Sequence, residues 1–121
     1  MKTILVVDDM AIFRDPIAAS LRLAGYRTLS ASNGQEGLAS LTAHHPDLVL
    51  LDMAMPVMDG LTFLKHLRAD PKIGGTPIIM LTTEAQEDKK LEGQMAGAKA
   101  WMVKPFQPEQ MLRAVSKLVL P

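Results

Sequence analysis

Short, near-continuous apolar runs constrain this sequence more than any other feature. Four of them stand out, and a weaker one is more polar. Within a run the apolar residues do not alternate with polar ones, as they would in a strand with one face in water. Unbroken runs are typical of strands buried on both faces, as in a parallel sheet covered by helices. The sequence therefore predicts strands at residues 4–7, 48–51, 77–81 and 101–103, with residues 27–31 as an edge strand.

Stretches with helical periodicity separate these runs, so strand and helix alternate five times along the chain. This alternation predicts an α/β fold with a parallel sheet, in a doubly wound (βα)5 arrangement. Gly25 supplies a stop for the first helix. The apolar residues that we expect on the buried faces are Ile12, Ile17, Leu21 and Ala24; Leu38 and Leu41 within 34–43; Leu61, Leu64 and Leu67 within 61–69; Leu91 and Met95 within 84–96; and Met111, Leu112, Val115, Leu118 and Val119 within 108–120.

One residue conflicts with the pattern of the first helix. Pro16 lies inside it, where a proline ring removes a backbone hydrogen bond and collides with the preceding turn. We therefore expect either a kink at Pro16 or a helix whose regular part begins later than Ala11.

Composition excludes several classes of protein. With no cysteine among 121 residues, the chain has no disulfide scaffold, zinc ribbon or catalytic thiol. A formal net charge of zero argues against direct binding of nucleic acid by this domain. No apolar run approaches the roughly 18 residues of a membrane span, and the run at 4–7 stops at two aspartates, unlike a signal peptide. We expect a soluble cytoplasmic domain that does not bind a membrane.

Polar residues of particular chemistry follow the predicted strands. Asp8 and Asp9 follow the first, Asp52 the third, Thr82 the fourth and Lys104 the fifth. Each alone is more simply explained as a turn or a helix cap. Turns and caps do not readily explain all five residues together. Open parallel sheets bind ligands at the carboxyl ends of their strands, and all five residues would meet there.

The chemistry of this set indicates a metal and a phosphoryl group. Clustered carboxylates repel one another, and a hard divalent cation such as Mg²⁺ relieves the repulsion through oxygen ligands. Lys104 and Thr82 suit phosphate oxygens as a positive charge and a hydrogen-bond donor. Asp52 could act as a nucleophile, since a carboxylate can form an acyl phosphate.

Motifs along nearly the whole chain resemble one family. They are VVDD at residues 6–9, LDMAMPVMDG at 51–60, MLTT at 80–83, GA at 97–98 and VKPF at 103–106. In this set and order the chain resembles the CheY-like response-regulator receiver domain of two-component signalling. The resemblance implies a flavodoxin-like fold with a five-stranded parallel sheet in the order 2-1-3-4-5. It also implies that residues 1–121 form a single receiver domain, with no effector domain in this chain.

The resemblance assigns a role to each polar residue of the predicted site. Asp52 would accept a phosphoryl group from a histidine kinase or phosphotransfer protein, and Thr82 and Lys104 would bind that group. Asp9, Asp52 and the backbone carbonyl of Ala54 would ligate Mg²⁺, with Asp8 acting through a coordinated water.

It also implies a switch read by a protein partner. A phosphoryl group adds a charge of roughly −1.5 to −2, which would pull Thr82 toward the site and let an aromatic residue on the fifth strand move inward. That residue is Trp101, where the family usually has tyrosine or phenylalanine. Because a buried indole N–H needs an acceptor, we expect Trp101 to stay substantially exposed or to move inward only partly, with core packing as the alternative.

The implied docking face combines the fourth predicted helix, the fifth strand and the fifth predicted helix. We place Lys90, Met95, Lys99 and Trp101 on it, and a phosphorylation-linked homodimer is left open. Thr83 and Ala54 depart from the residues common in the family, at positions linked there to the lifetime of the phosphoryl group.

Three other functions fit parts of the same pattern, and each conflicts with a particular residue or group of residues. A magnesium-dependent aspartyl-phosphate phosphatase or phosphotransferase usually carries a second aspartate two residues after the nucleophile, where this chain has Ala54. A flavodoxin-like FMN protein would need a phosphate loop where Asp8 and Asp9 stand. A degenerate receiver acting only as an interaction module is disfavoured by the intact site residues. We therefore expect a signalling switch that catalyses only its own phosphorylation and dephosphorylation, and not a conventional enzyme.

Overall fold

The computed structural model describes residues 1–83 and 97–121. Within them the strands are β1 (Thr3–Val7), β2 (Arg27–Ala31), β3 (Leu48–Asp52), β4 (Ile78–Thr82) and β5 (Ala100–Val103). The helices are α1 (Ala11–Leu23), α2 (Gly34–His44), α3 (Gly60–Ala69) and α4 (Pro108–Leu118). Helix α4 corresponds to the fifth predicted helix. The helix predicted over residues 84–96, with Leu91 and Met95, lies outside the described residues.

All five strands are parallel and form one sheet in the order β2-β1-β3-β4-β5. Both the α/β class and the strand order are therefore confirmed. The register pairs Asp52 with Leu81 and Thr82 with Val103, which aligns the carboxyl ends of β3, β4 and β5. The polar residues that end these strands consequently share one edge of the sheet.

Each face of the sheet has its own hydrophobic core. Leu5 and Val7 of β1 pack on the side of α2 and α3, whereas Ile4 and Val6 pack on the side of α1 and α4. Every residue of β3 and β4 is buried. Burial on both faces explains why these strands read as unbroken apolar runs.

Helix starts agree with local capping chemistry. The side chain of Asn33 accepts a hydrogen bond from the Glu36 amide at 2.9 Å, and that of Asp59 accepts one from the Thr62 amide at 2.8 Å. These bonds satisfy amides that have no partner within α2 and α3. Among the described helices, none combines the length and apolar character that a membrane crossing requires.

Two residues expected on buried helix faces are exposed, which corrects the prediction. Ile12 is 71% exposed and Leu118 is 38% exposed, whereas Ile17 and Leu21 of α1 are buried as expected. Ile12 lies in the first turn of α1 and Leu118 is the last residue of α4, so both stand at helix ends, where less of the sheet is available to cover them.

The prediction that the regular part of α1 begins later than Ala11 is wrong. The helix begins at Ala11 and continues through Pro16. Pro16 has no N–H to offer the Ile12 carbonyl. Ile12 and Pro16 are both exposed, so the missing hydrogen bond lies on the solvent side of α1. The kink at Pro16 stays a prediction.

Candidate functional site

Three carboxylates meet at the carboxyl end of the sheet. Asp8, Asp9 and Asp52 each offer an oxygen, and these oxygens lie within 4.8 Å of one another. Asp8 is fully buried and Asp52 is 6% exposed, whereas Asp9 faces solvent. The structure thus brings together the acidic residues that the sequence predicted to be neighbours.

Lys104 reaches this cluster from the segment after β5. Its Nζ donates to Oδ2 of Asp8 at 3.0 Å and to Oδ1 of Asp52 at 3.1 Å. Its side chain is 16% exposed, and those of the two aspartates are 1% and 8% exposed. One ammonium group therefore bridges two nearly buried carboxylates, each on a different strand end.

Burial and the charge of the neighbouring partner shift the pKa values of Asp52 and Lys104 in opposite directions. Burial raises the pKa of Asp52, and the nearby charge of Asp8 adds to the effect, although Lys104 and the backbone N–H of Ala54 partly offset it. Burial by itself would lower the pKa of Lys104, but its hydrogen bonds and charge interactions with Asp8 and Asp52 raise it overall.

The donor set fits a hard divalent cation. Among residues 1–83 and 97–121, one ammonium group faces the three carboxylates of this cluster, so these ionised groups together carry excess negative charge. Carboxylate oxygens from two strand ends, one of them open to solvent, are the ligands that such cations take in proteins. The residues present could therefore bind a metal.

Thr82 ends β4 beside the carboxylates. Its side chain is buried, and its hydroxyl donates to the backbone oxygen of Thr83 at 3.2 Å. The amide of Lys104 donates to the Thr82 carbonyl at 2.6 Å, which ties the Lys104 segment to the end of β4. Thr82 and Lys104 thus lie at the same sheet edge, as predicted.

The loop between β3 and α3 has a strained backbone. Val57 has a φ of 71°, in the left-handed region that a β-branched residue rarely adopts. The Met58 amide donates to the Pro56 carbonyl at 2.7 Å, which closes a γ-turn around Val57. The backbone N–H of Ala54, in the same loop, bonds to the Asp52 carboxylate. A metal-ligating role for the Ala54 carbonyl stays a prediction.

Gly60 allows α3 to begin directly against the end of β3. A Cβ at this position would lie 2.7 Å from the carbonyl oxygen of Asp52 and 2.9 Å from Cα of Met53. We expect Gly60→Ala to lower the free energy of unfolding by about 1–3 kcal/mol, because the backbone carrying Asp52 must shift. Urea unfolding measures the loss. Gly75→Ala is the control, since a Cβ there meets nothing within 4 Å; equal losses in both variants would contradict the prediction.

The predicted docking face is only partly described. Trp101 is half-buried and packs partly against the core on the α2 and α3 side, and Lys99 is exposed. Lys90 and Met95 lie outside the described residues. The indole N–H of Trp101 is buried and has no acceptor within the described part of the chain. The ring is thus half-buried in this structure, and how far it moves inward in the switch stays a prediction.

The start of α1 makes contacts with the site that the sequence pattern did not predict. The Met10 amide donates to Oδ1 of Asp8 at 3.0 Å, and the Arg14 guanidinium donates to the Asp8 carbonyl at 2.7 Å. Lys104 Nζ lies 5.0 Å from the centroid of the Phe13 ring. The sequence signal for these contacts was an aromatic residue, Phe13, beside a cationic residue, Arg14. Both lie outside the apolar face of α1 that contains Ile17 and Leu21.

The first turn of α1 also borders a groove of about 570 Å³ that opens beside the carboxylates. Its lining is mostly apolar and includes Met10, Ile12, Phe13, Phe106 and Met111.

Comparison with known proteins identifies relatives along almost the whole chain. A sequence model described as the response regulator receiver domain matches residues 4–116. The chain is 41% identical over 111 residues to the phosphate regulon transcriptional regulatory protein PhoB of Pseudomonas aeruginosa, covering 92% of this chain and 48% of that protein. It is 33% identical over 119 residues to the protein PilH of the same organism, covering 98% of each chain.

A solved structure agrees with this likeness. The chemotaxis protein CheY4 of Vibrio cholerae superposes with a TM-score of 0.92 at 39% identity, covering 98% of this chain and 99% of the other. The chain spans about half the length of PhoB and of RpaA from Synechocystis, of which it covers 48% and 49%.

Proposed function

The chain belongs to the response regulator receiver domain family, and we propose that it is a phosphorylation-controlled switch whose phosphoryl acceptor is Asp52. Receiver domains of two-component systems interact with histidine kinases and with downstream targets. The observation that carries the proposal is the contact of Lys104 Nζ with Asp8 at 3.0 Å and Asp52 at 3.1 Å, at the carboxyl end of the sheet. This contact supports the proposal, because it brings two carboxylates and one ammonium group together at the sheet edge where phosphoryl transfer would take place.

The proposed reaction transfers a phosphoryl group from the phosphohistidine of a histidine kinase or phosphotransfer protein. An oxygen of the Asp52 carboxylate attacks phosphorus, and the P–N bond breaks with its electron pair returning to the imidazole nitrogen. The product is an acyl phosphate on Asp52 and a free histidine. The reaction needs ionised Asp52, and Lys104 favours that form against the effect of burial.

The remaining site residues bind the metal and the transferred group. Asp8, Asp9, Asp52 and the Ala54 carbonyl would hold Mg²⁺, which when bound neutralises charge on the phosphoryl oxygens. The Lys104 ammonium supplies a second positive charge beside Asp52, and the Thr82 hydroxyl a hydrogen-bond donor.

The output would be a change in binding at one face of the domain. This face combines the helix predicted over residues 84–96, strand β5 and helix α4 (Pro108–Leu118). Trp101 and Lys99 are its described members. We propose that a downstream protein binds there and that the domain catalyses only its own phosphorylation and dephosphorylation; a phosphorylation-linked homodimer is left open. Because histidine kinases draw on ATP, we place the domain in the cytoplasm.

Fluorescence tests whether Trp101 takes part in the switch. It is the only tryptophan of the chain, so emission reports this position alone. We expect the emission maximum to move to shorter wavelength on phosphorylation, because a ring that moves inward leaves water. An unchanged spectrum in protein that carries a confirmed acyl phosphate would remove Trp101 from the switch.

The proposed function itself is tested by incubating the chain with Mg²⁺ and a small phosphodonor such as acetyl phosphate, followed by intact mass measurement. We expect a phosphate-sized gain that a metal chelator prevents. No gain under conditions where a known receiver domain reacts would refute the function and leave a module that only binds partners.

A further inference from the structure

Phe13 is an aromatic residue that core packing does not explain. It is the third residue of α1 and remains 46% exposed. Lys104 Nζ lies 5.0 Å from the centroid of its ring. An ammonium within about 6 Å of an aromatic centroid can be attracted by the electron density of the ring face. Phe13 thus contacts the group that bridges the two nearly buried carboxylates.

The backbone beside the ring is hydrogen-bonded to one of these two aspartates, Asp8. The amide of Phe13 donates to the Met10 carbonyl at 3.1 Å, and the Met10 amide donates to Oδ1 of Asp8 at 3.0 Å. Arg14, the next residue, donates to the Asp8 carbonyl at 2.7 Å. The start of α1 is therefore attached to Asp8 on both sides of Phe13, which fixes the backbone from which the ring projects.

We propose that Phe13 is a positioning residue that holds the Lys104 ammonium over Asp8 and Asp52 during phosphoryl transfer. The inference rests on the proposed function. When Asp52 becomes an acyl phosphate, the charge of its carboxylate is replaced by the larger negative charge of the phosphoryl group, so one of the partners that orients Lys104 changes in position and charge. The ring face keeps the same attraction before and after transfer. A ring at this distance would also exclude water from one side of the ammonium, which strengthens its attraction to the neighbouring anionic groups.

Fluorinated phenylalanines test this role, because fluorine withdraws electron density from the ring face and nearly preserves its shape. We would place mono-, di- and trifluorophenylalanine at position 13 and measure phosphorylation by acetyl phosphate at saturating Mg²⁺. We expect the rate to fall stepwise, by about 2- to 5-fold in total, as the cation–π attraction weakens. Phe13→Tyr should keep the wild-type rate, since its ring face is also electron-rich.

The control is trifluorophenylalanine at Phe63, a fully buried ring on the α2 and α3 side of the sheet. It should leave the rate unchanged. A small phosphodonor excludes effects on the docking of a partner protein. In parallel, NMR should show ring-current-shifted ε-CH₂ signals of Lys104 that return to ordinary values in Phe13→Leu, whether or not the protein is phosphorylated. A rate that is constant or rises along the fluorine series would overturn the proposal, whereas no phosphorylation of wild type would refute the proposed function instead.

Discussion

Asp52→Asn is expected to abolish the phosphate-sized mass gain completely and to raise Tm. The amide has no anionic oxygen to attack phosphorus. The rise in Tm follows from the raised pKa of Asp52, which burial causes and the charge of Asp8 increases. Because the folded protein binds this proton more tightly, the associated stability is present below the unfolded-state pKa and is lost as pH rises through the folded value. At neutral pH the ionised group therefore costs stability, which the neutral amide recovers.

Intact mass measurement and thermal unfolding at neutral pH check both parts of this prediction. Asp15→Asn is the matched control, because this aspartate is exposed on α1 with its side chain 72% accessible. It should keep the full mass gain. A gain in Asp52→Asn equal to that of wild type would show that another residue accepts the group. A lower Tm would show that the Lys104 contact outweighs the effect of burial.

Lys104→Met is expected to lower the free energy of unfolding at neutral pH by about 3–5 kcal/mol. Removing one partner from a buried ion pair leaves uncompensated charge, and here both Asp8 and Asp52 lose their cation. Methionine keeps most of the apolar stem, so the loss reports charge more than volume. In wild type the Lys104 contribution is fully present at neutral pH, because its raised pKa means that it is lost only as pH rises through that value.

Urea unfolding across a pH series measures this loss. The gap between variant and wild type should shrink as pH falls, because protonated carboxylates no longer need a cation. Lys65→Met, at an exposed position on α3, should change stability by no more than about 0.5 kcal/mol. The double variant Lys104→Met, Asp52→Asn should regain stability, since one uncompensated charge is gone. A Lys104→Met loss as small as that of the control would contradict the prediction.

The strands were readable from the sequence because their signal is local. Residues 48–51 and 77–81 form unbroken apolar runs, and a strand buried on both faces needs such a run whatever its neighbours are. The buried faces of the helices were predicted less completely. Periodicity placed Ile17 and Leu21 correctly but also assigned Ile12 to the core, because it cannot show where the sheet ceases to cover a helix end.

The acidic cluster was predictable for a related reason. Asp8 and Asp9 come directly after β1, and Asp52 is the last residue of β3; parallel strands must bring their carboxyl ends to one edge. Lys104 comes directly after β5 and Thr82 is the last residue of β4, so both lie at the same edge. The identity of these side chains and their positions after strands sufficed to predict which residues meet.

Only the tertiary structure decided how these groups contact one another. That Lys104 bridges two carboxylates, and that the Phe13 ring lies against its ammonium, depends on side-chain directions set by the packing of α1 and the β5 end. Sequence spacing cannot encode such contacts, because Phe13 and Lys104 lie on separate elements far apart in the chain. The sequence by itself therefore determined the parallel α/β fold and the membership of the site, because both follow from local burial and strand direction. The charge balance and positioning within the site follow from distances that exist only once the sheet and helices have packed.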